Sequence, residues 1–130
     1  MTQENKELLF KEVCARLPYG TRYYIEGEDN SKPLKANSII ADIMSVDFAF
    51  DDCDNCFLAF REISEIKPYL FPMSSMTGKQ KAELTHLTEN IDDLFQQMLI
   101  EIDFYNKNHF DYRGLIEKGL GIDATNLNIY

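Results

Sequence analysis

Apolar positions along the first seventeen residues keep a three-four spacing. Leu9, Val13 and Leu17 recur with Phe10 and Cys14 beside them, while Lys6, Glu7, Lys11, Glu12 and Arg16 fill the opposite face. That pattern predicts an amphipathic helix over residues 5–17, with Cys14 as a buried structural thiol. The Pro18-Tyr19-Gly20 sequence ends it, since proline cannot continue the ladder and glycine supplies a turn. The period then changes. Thr21 to Glu26 is rich in aromatic and β-branched residues, and Val46, Phe48 and Phe50 alternate with Asp47 and Ala49. These segments predict short strands with one buried face. A hairpin loop is expected over 51–56, with a returning strand over 57–61.

Residues 63–70 stay ambiguous. Ile63, Ile66 and Leu70 have helical spacing, yet Pro68 limits any helix to a turn. The last third is helical again. Thr77-Gly-Lys-Gln80 fits a capping box, so a helix should begin near Gly78. Leu84, Leu87, Ile91, Leu94, Met98, Ile102 and Tyr105 then form one long stripe, widened by Phe95, Leu99 and Phe104. Either one helix runs throughout, or a second starts at Thr88-Glu-Asn and makes a kinked pair. Asp111 is expected to cap a short closing helix through Leu120, and residues 121–130 show no periodicity. The expected fold is α+β in one domain over residues 1–130. Its parts are a helix (5–17), a small antiparallel sheet (21–61) with barrel closure as an alternative, a crossover strap (62–77), helices packed on the sheet (78–120) and a tail (121–130).

The 130 residues carry 13 Lys+Arg against 22 Asp+Glu, a formal charge of −9. Phosphate binding needs clustered cations, so direct nucleic-acid binding is disfavoured, and anionic membranes are disfavoured likewise. No apolar run is long enough to span a bilayer and the first residues are no signal peptide, so a cytoplasmic protein is expected.

Chemical motifs are few. Cys53-Asp-Asn-Cys56 has the C-x-x-C spacing of a metal or redox pair. No second ligand pair accompanies it, and two ordinary loop cysteines are the expectation. Asp51, Asp52 and Asp54 lack the order of a calcium loop. Neither histidine has a nucleophile near it in sequence, and the glycines form no phosphate loop. No catalytic residue, cofactor or metal is therefore expected.

Three stretches stand out: Val13-Cys-Ala-Arg-Leu-Pro-Tyr-Gly20, Ile66-Lys-Pro-Tyr-Leu-Phe-Pro-Met-Ser-Ser-Met-Thr77, and His109-Phe-Asp-Tyr-Arg-Gly-Leu-Ile-Glu-Lys-Gly-Leu120. In order and spacing they resemble a group of short proteins encoded by phages and mobile elements of gut bacteria. The resemblance covers about a quarter of the chain and does not extend to residues 39–57. It implies a genomic setting and a bacterial host cytoplasm, and supplies no catalytic residues. Physically, the second stretch is either a strap that docks the helices on the sheet or an exposed epitope.

Two functions follow as expectations. One is a non-enzymatic accessory protein that binds another protein or itself, with Tyr69, Phe71, Tyr112 and Arg113 as candidate interaction residues. The alternative is an acidic inhibitor that imitates nucleic acid before a host or defence nuclease. A small metal or redox protein using Cys53 and Cys56 stands third.

Overall fold

The computed structural model describes residues 1–49 and 60–130. Helix α1 (Gln3–Arg16) starts two residues before the expected start at residue 5, because Thr2 caps it: its hydroxyl accepts from Asn5 N at 3.1 Å. The buried face is Leu9, Glu12, Val13 and Arg16, which are neighbours at three- and four-residue spacing. This corrects the expected face at both edges. Glu12 and Arg16 turn inward, where they pair with each other, and Cys14 is exposed.

Six strands follow: β1 (Arg22–Ile25), β2 (Leu34–Ile40), β3 (Ser45–Ala49), β4 (Arg61–Glu62), β5 (Ile66–Leu70) and, near the C-terminus, β6 (Ile122–Asp123). Their order across the sheet is β4-β3-β2-β1-β5-β6. Every pairing is antiparallel except β5–β6, which is parallel with Tyr69 opposite Ile122. The α+β class therefore holds, but the sheet is mixed and open rather than purely antiparallel or closed into a barrel.

The reason lies in β1, which pairs β2 on one side and β5 on the other. Residues 66–70 are thus a strand inside the sheet and not part of a crossover strap. Pro68 stands opposite Tyr23 in that ladder, and β6 joins only from Tyr69 on. The connector proper begins at Phe71, which bridges to Phe110, and continues through a short 3₁₀ turn at Met73–Ser75.

Helix α2 (Gly78–Thr88) carries both halves of the expected capping box, Gln80 N donating to the Thr77 hydroxyl at 3.1 Å and Thr77 N to the Gln80 side chain at 2.9 Å. Helix α3 (Leu94–Lys107) is separate and begins at Asp93, whose carboxylate accepts from Phe95 N. The long apolar stripe is therefore a pair of helices, with the break at residues 89–93.

No helix forms over 111–120. Gly114 and Gly119 sit at positive φ (+74° and +72°), and the Asp111 carboxylate accepts from Leu115 N and Ile116 N, which holds the segment in turns. The tail, expected to be irregular, contributes β6.

The core lies between α1 and the sheet. Leu9 and Val13 meet Tyr23, Ile25, Val46, Phe48, Ile63, Ile66 and Leu70, and Leu115 and Leu120 close it from the C-terminal turns. Among the described residues no helix is long and apolar enough to cross a membrane.

Candidate interaction surface

α3 is held at its C-terminal end and along its inner side. Its C-terminus closes in a Schellman arrangement: Phe110 N donates to Tyr105 O at 2.8 Å and His109 N to Asn106 O at 3.2 Å. The left-handed position is filled by His109, at φ +62°, where glycine is usual. On the inner side only Phe104 and Asn106 are buried. Phe104 stacks on Phe110 with centroids 6.5 Å apart, and the Asn106 side chain accepts from the Tyr112 hydroxyl at 3.0 Å.

The outer side is apolar and uncovered. Leu94 is 73% exposed, Phe95 64%, Met98 56%, Leu99 48% and Ile102 37%. These positions fall on one side of the helix within nine residues, so they form a continuous face rather than scattered contacts. Leu87 of α2, also exposed, continues it. A groove of about 380 Å³ runs between the two helices, lined by Glu83, Leu87, Leu99, Asp103 and Lys107 among others. α2 buries none of its residues.

The candidates read from sequence lie elsewhere. Tyr69 is buried in β5, and its carbonyl accepts from the Tyr130 hydroxyl at 2.7 Å. Phe71 is half-buried, its ring against Phe110 and Tyr130. Tyr112, also half-buried, has the Arg16 and Arg113 guanidinium groups over its ring at 5.2 and 5.4 Å. Arg113 approaches the buried Glu12 carboxylate, with Nε 3.0 Å from Oε2. Arg16 donates from Nε to Glu12 and from Nη2 to the Phe110 carbonyl. Burial raises the Glu12 pKa, outweighing the pull of Arg16 and Arg113 in the other direction.

These contacts join the three stretches that carry the resemblance. Arg16 comes from the first, Phe71 from the second, and Phe110 to Arg113 from the third. Phe71 N donates to His109 O and Asp111 N to Phe71 O, both at 2.8 Å. Together they form a packed polar-aromatic lock beneath the sheet's β5–β6 side. The surface that Tyr69, Phe71 and Tyr112 offer outward is small next to that of α3.

The remaining chemical candidates are separate. His109 stacks on Tyr130 at 3.7 Å, and burial, aided by Arg16, lowers its pKa to about 4. Its Nδ1 lies 3.3 Å from the Thr21 hydroxyl, but Thr21 is 2% exposed, so this contact is closed to a substrate. His86 is exposed and pairs with Glu89. Cys53 and Cys56, with the acidic loop around them, lie outside the described residues. Among the described residues no three His, Cys, Asp or Glu side chains come together as a metal site.

The α3 face was legible only in part. The stripe is plain in the sequence, but its spacing does not say which end of it the sheet covers. Its breadth was the available signal: ten apolar residues over two helices and the break between them exceed what a small sheet can bury. Comparison of the chain with protein-family models, curated proteins and solved structures finds no match.

Proposed function

We propose that the protein is a non-enzymatic binding protein, in the mobile-element setting that the resemblance implies, and that it engages a protein partner through the outer face of α3. One observation carries this: five large apolar side chains stand exposed along nine residues of a well-capped helix. Exposed apolar patches of this continuity mark interaction sites, whereas scattered exposed leucines need no explanation. The Tyr69–Tyr112 region supports the same reading indirectly. Tyr112 and Phe110 hold the inner side of α3 to the C-terminal turns, so α3 is presented by a locked scaffold.

The test is capture of tagged protein from bacterial host lysate at low and high salt, read by mass spectrometry. A Phe95→Ser, Met98→Ser double variant serves as the comparison. The expected result is a partner recovered with the parent chain and lost with the variant. A partner that is indifferent to these substitutions but vanishes with salt would overturn the proposal in favour of nucleic-acid imitation. Recovery of no partner with either chain would remove its support.

A further inference from the structure

The apolar face is bordered mainly by carboxylates, with Lys107 as the one cation among the described residues lining the groove to α2. Between Lys81 and Lys107 the chain carries six carboxylates, Glu83, Glu89, Asp92, Asp93, Glu101 and Asp103, and no lysine or arginine. Glu83, Glu89, Asp92, Asp93 and Asp103 are exposed and Glu101 is half-buried. They flank the stripe at both ends and along the groove to α2, where Glu83 and Asp103 stand beside Leu87 and Leu99. The face thus pairs an apolar centre with an acidic rim.

We propose that its occupant is a basic amphipathic helix of a partner protein, with leucine-like residues on one side and Lys or Arg flanking them. This rests on the binding proposal above and names the chemistry of the partner. The shape argues for a helix: a stripe of nine residues is about 13 Å long at 1.5 Å per residue, and it adjoins a groove between two helices into which a third can lay its ridge. The rim argues for basic flanks, because carboxylates around an apolar patch steer cations inward and repel anions. It also argues against a second copy, since two copies meeting here would set one acidic rim against another.

The experiment uses the full chain and three fluorescent 18-residue peptides. One has Leu on a single helical face and Lys elsewhere, the second has Glu in place of Lys, and the third scrambles the first. Binding is read by anisotropy, with circular dichroism to confirm that each variant is folded. The Lys peptide should bind at least about tenfold tighter than either control, a difference of about 1.4 kcal/mol. Phe95→Ser or Met98→Ser should each remove about tenfold of that affinity. Asp92→Lys with Glu101→Lys should shift preference toward the Glu peptide. Equal binding of the scrambled peptide would show charge alone at work and overturn the inference, as would no binding or a preference for Glu. Sedimentation that finds a dimer dissolved by Phe95→Ser would put a second copy on the face; that overturns the inference while leaving the binding proposal standing. If the α3 substitutions alter neither peptide affinity nor lysate capture, both fall.

Discussion

At the scale of single residues, the most informative are charged side chains in the wrong place by composition. Glu12 and Arg16 belong to the polar face by residue type, yet both are fully buried. A lone buried charge is very costly, but here each has partners: Arg16 has Glu12, the Phe110 carbonyl and the Tyr112 ring, and Glu12 has Arg16 and Arg113. The Glu12–Arg16 pair is local, but residue type could not show that it turns inward, because the groups that enclose it, Phe110, Tyr112 and Arg113, lie roughly a hundred residues along the chain. The same neighbourhood sets a pH dependence. His109 is held neutral by burial, helped by Arg16, with its pKa lowered to about 4 from an ordinary value of 6.5. The unfolded chain therefore binds a proton between these values that the native chain refuses. Stability is full above pH 6.5 and falls as pH drops toward 4, by up to about 2 kcal/mol after allowing for the part of the ring that water reaches. Urea unfolding from pH 7 to 4, beside NMR titration of both histidines, checks it. A His109 resonance that titrates near 6.5 would contradict this account.

At the scale of elements, α2 depends on its own ends more than on packing. It buries none of its residues, so the capping box at Thr77 and Gln80 supplies a large share of what orders its first turn. Thr77→Ala should cost about 1 kcal/mol, expressed locally. Hydrogen exchange should show the α2 amides accelerated several-fold while those of β1 and β5 are unchanged; uniform acceleration would mean that α2 unfolds only with the whole molecule. The cap was readable because it is local: four consecutive residues specify both hydrogen bonds. The Asp93 cap of α3 and its glycine-free C-terminus were not, since the first competes with Thr88 as a start signal and the second puts His109 where glycine is the usual cue. The closing helix expected at Asp111 fails for a related reason. An aspartate before an apolar run resembles a cap, but two glycines at positive φ turn the chain, and the carboxylate serves a loop instead. The α3 face shares that split: its periodicity is written in neighbouring residues, whereas its exposure depends on how far the sheet reaches.

At the scale of the whole molecule, the C-terminal segment decides the architecture. β6 pairs parallel to β5, Ala124 N donates to Leu70 O at 2.8 Å, and the chain then returns to place Tyr130 against the start of β1. A two-residue strand has too few residues to show a period, which is why the tail read as irregular. Tyr130 fastens this arrangement. Although the residue as a whole is 45% exposed, its hydroxyl is enclosed: it donates to Tyr69 O at 2.7 Å, accepts from Arg22 N at 2.8 Å, and its pKa is raised to about 12, chiefly by burial. One phenol thus ties β1 to β5 while its ring covers His109 and Phe71. Tyr130→Phe keeps the ring and removes only the hydroxyl, so it separates the hydrogen bonds from the stacking. With the Tyr69 carbonyl losing a donor and the Arg22 amide losing its acceptor, the cost should be about 1–3 kcal/mol. The β6 amides and those of Phe71 and Asp111 should exchange faster, because the lock beneath α3 loses its outer fastening. α2, which shares no contact with Tyr130 among those described, should keep its own exchange rates. An unchanged urea midpoint would show that the hydroxyl contributes nothing to holding the C-terminal segment against the sheet. A lowered midpoint with the α3 face still able to bind would show that the scaffold has stability to spare beyond what presenting that face requires.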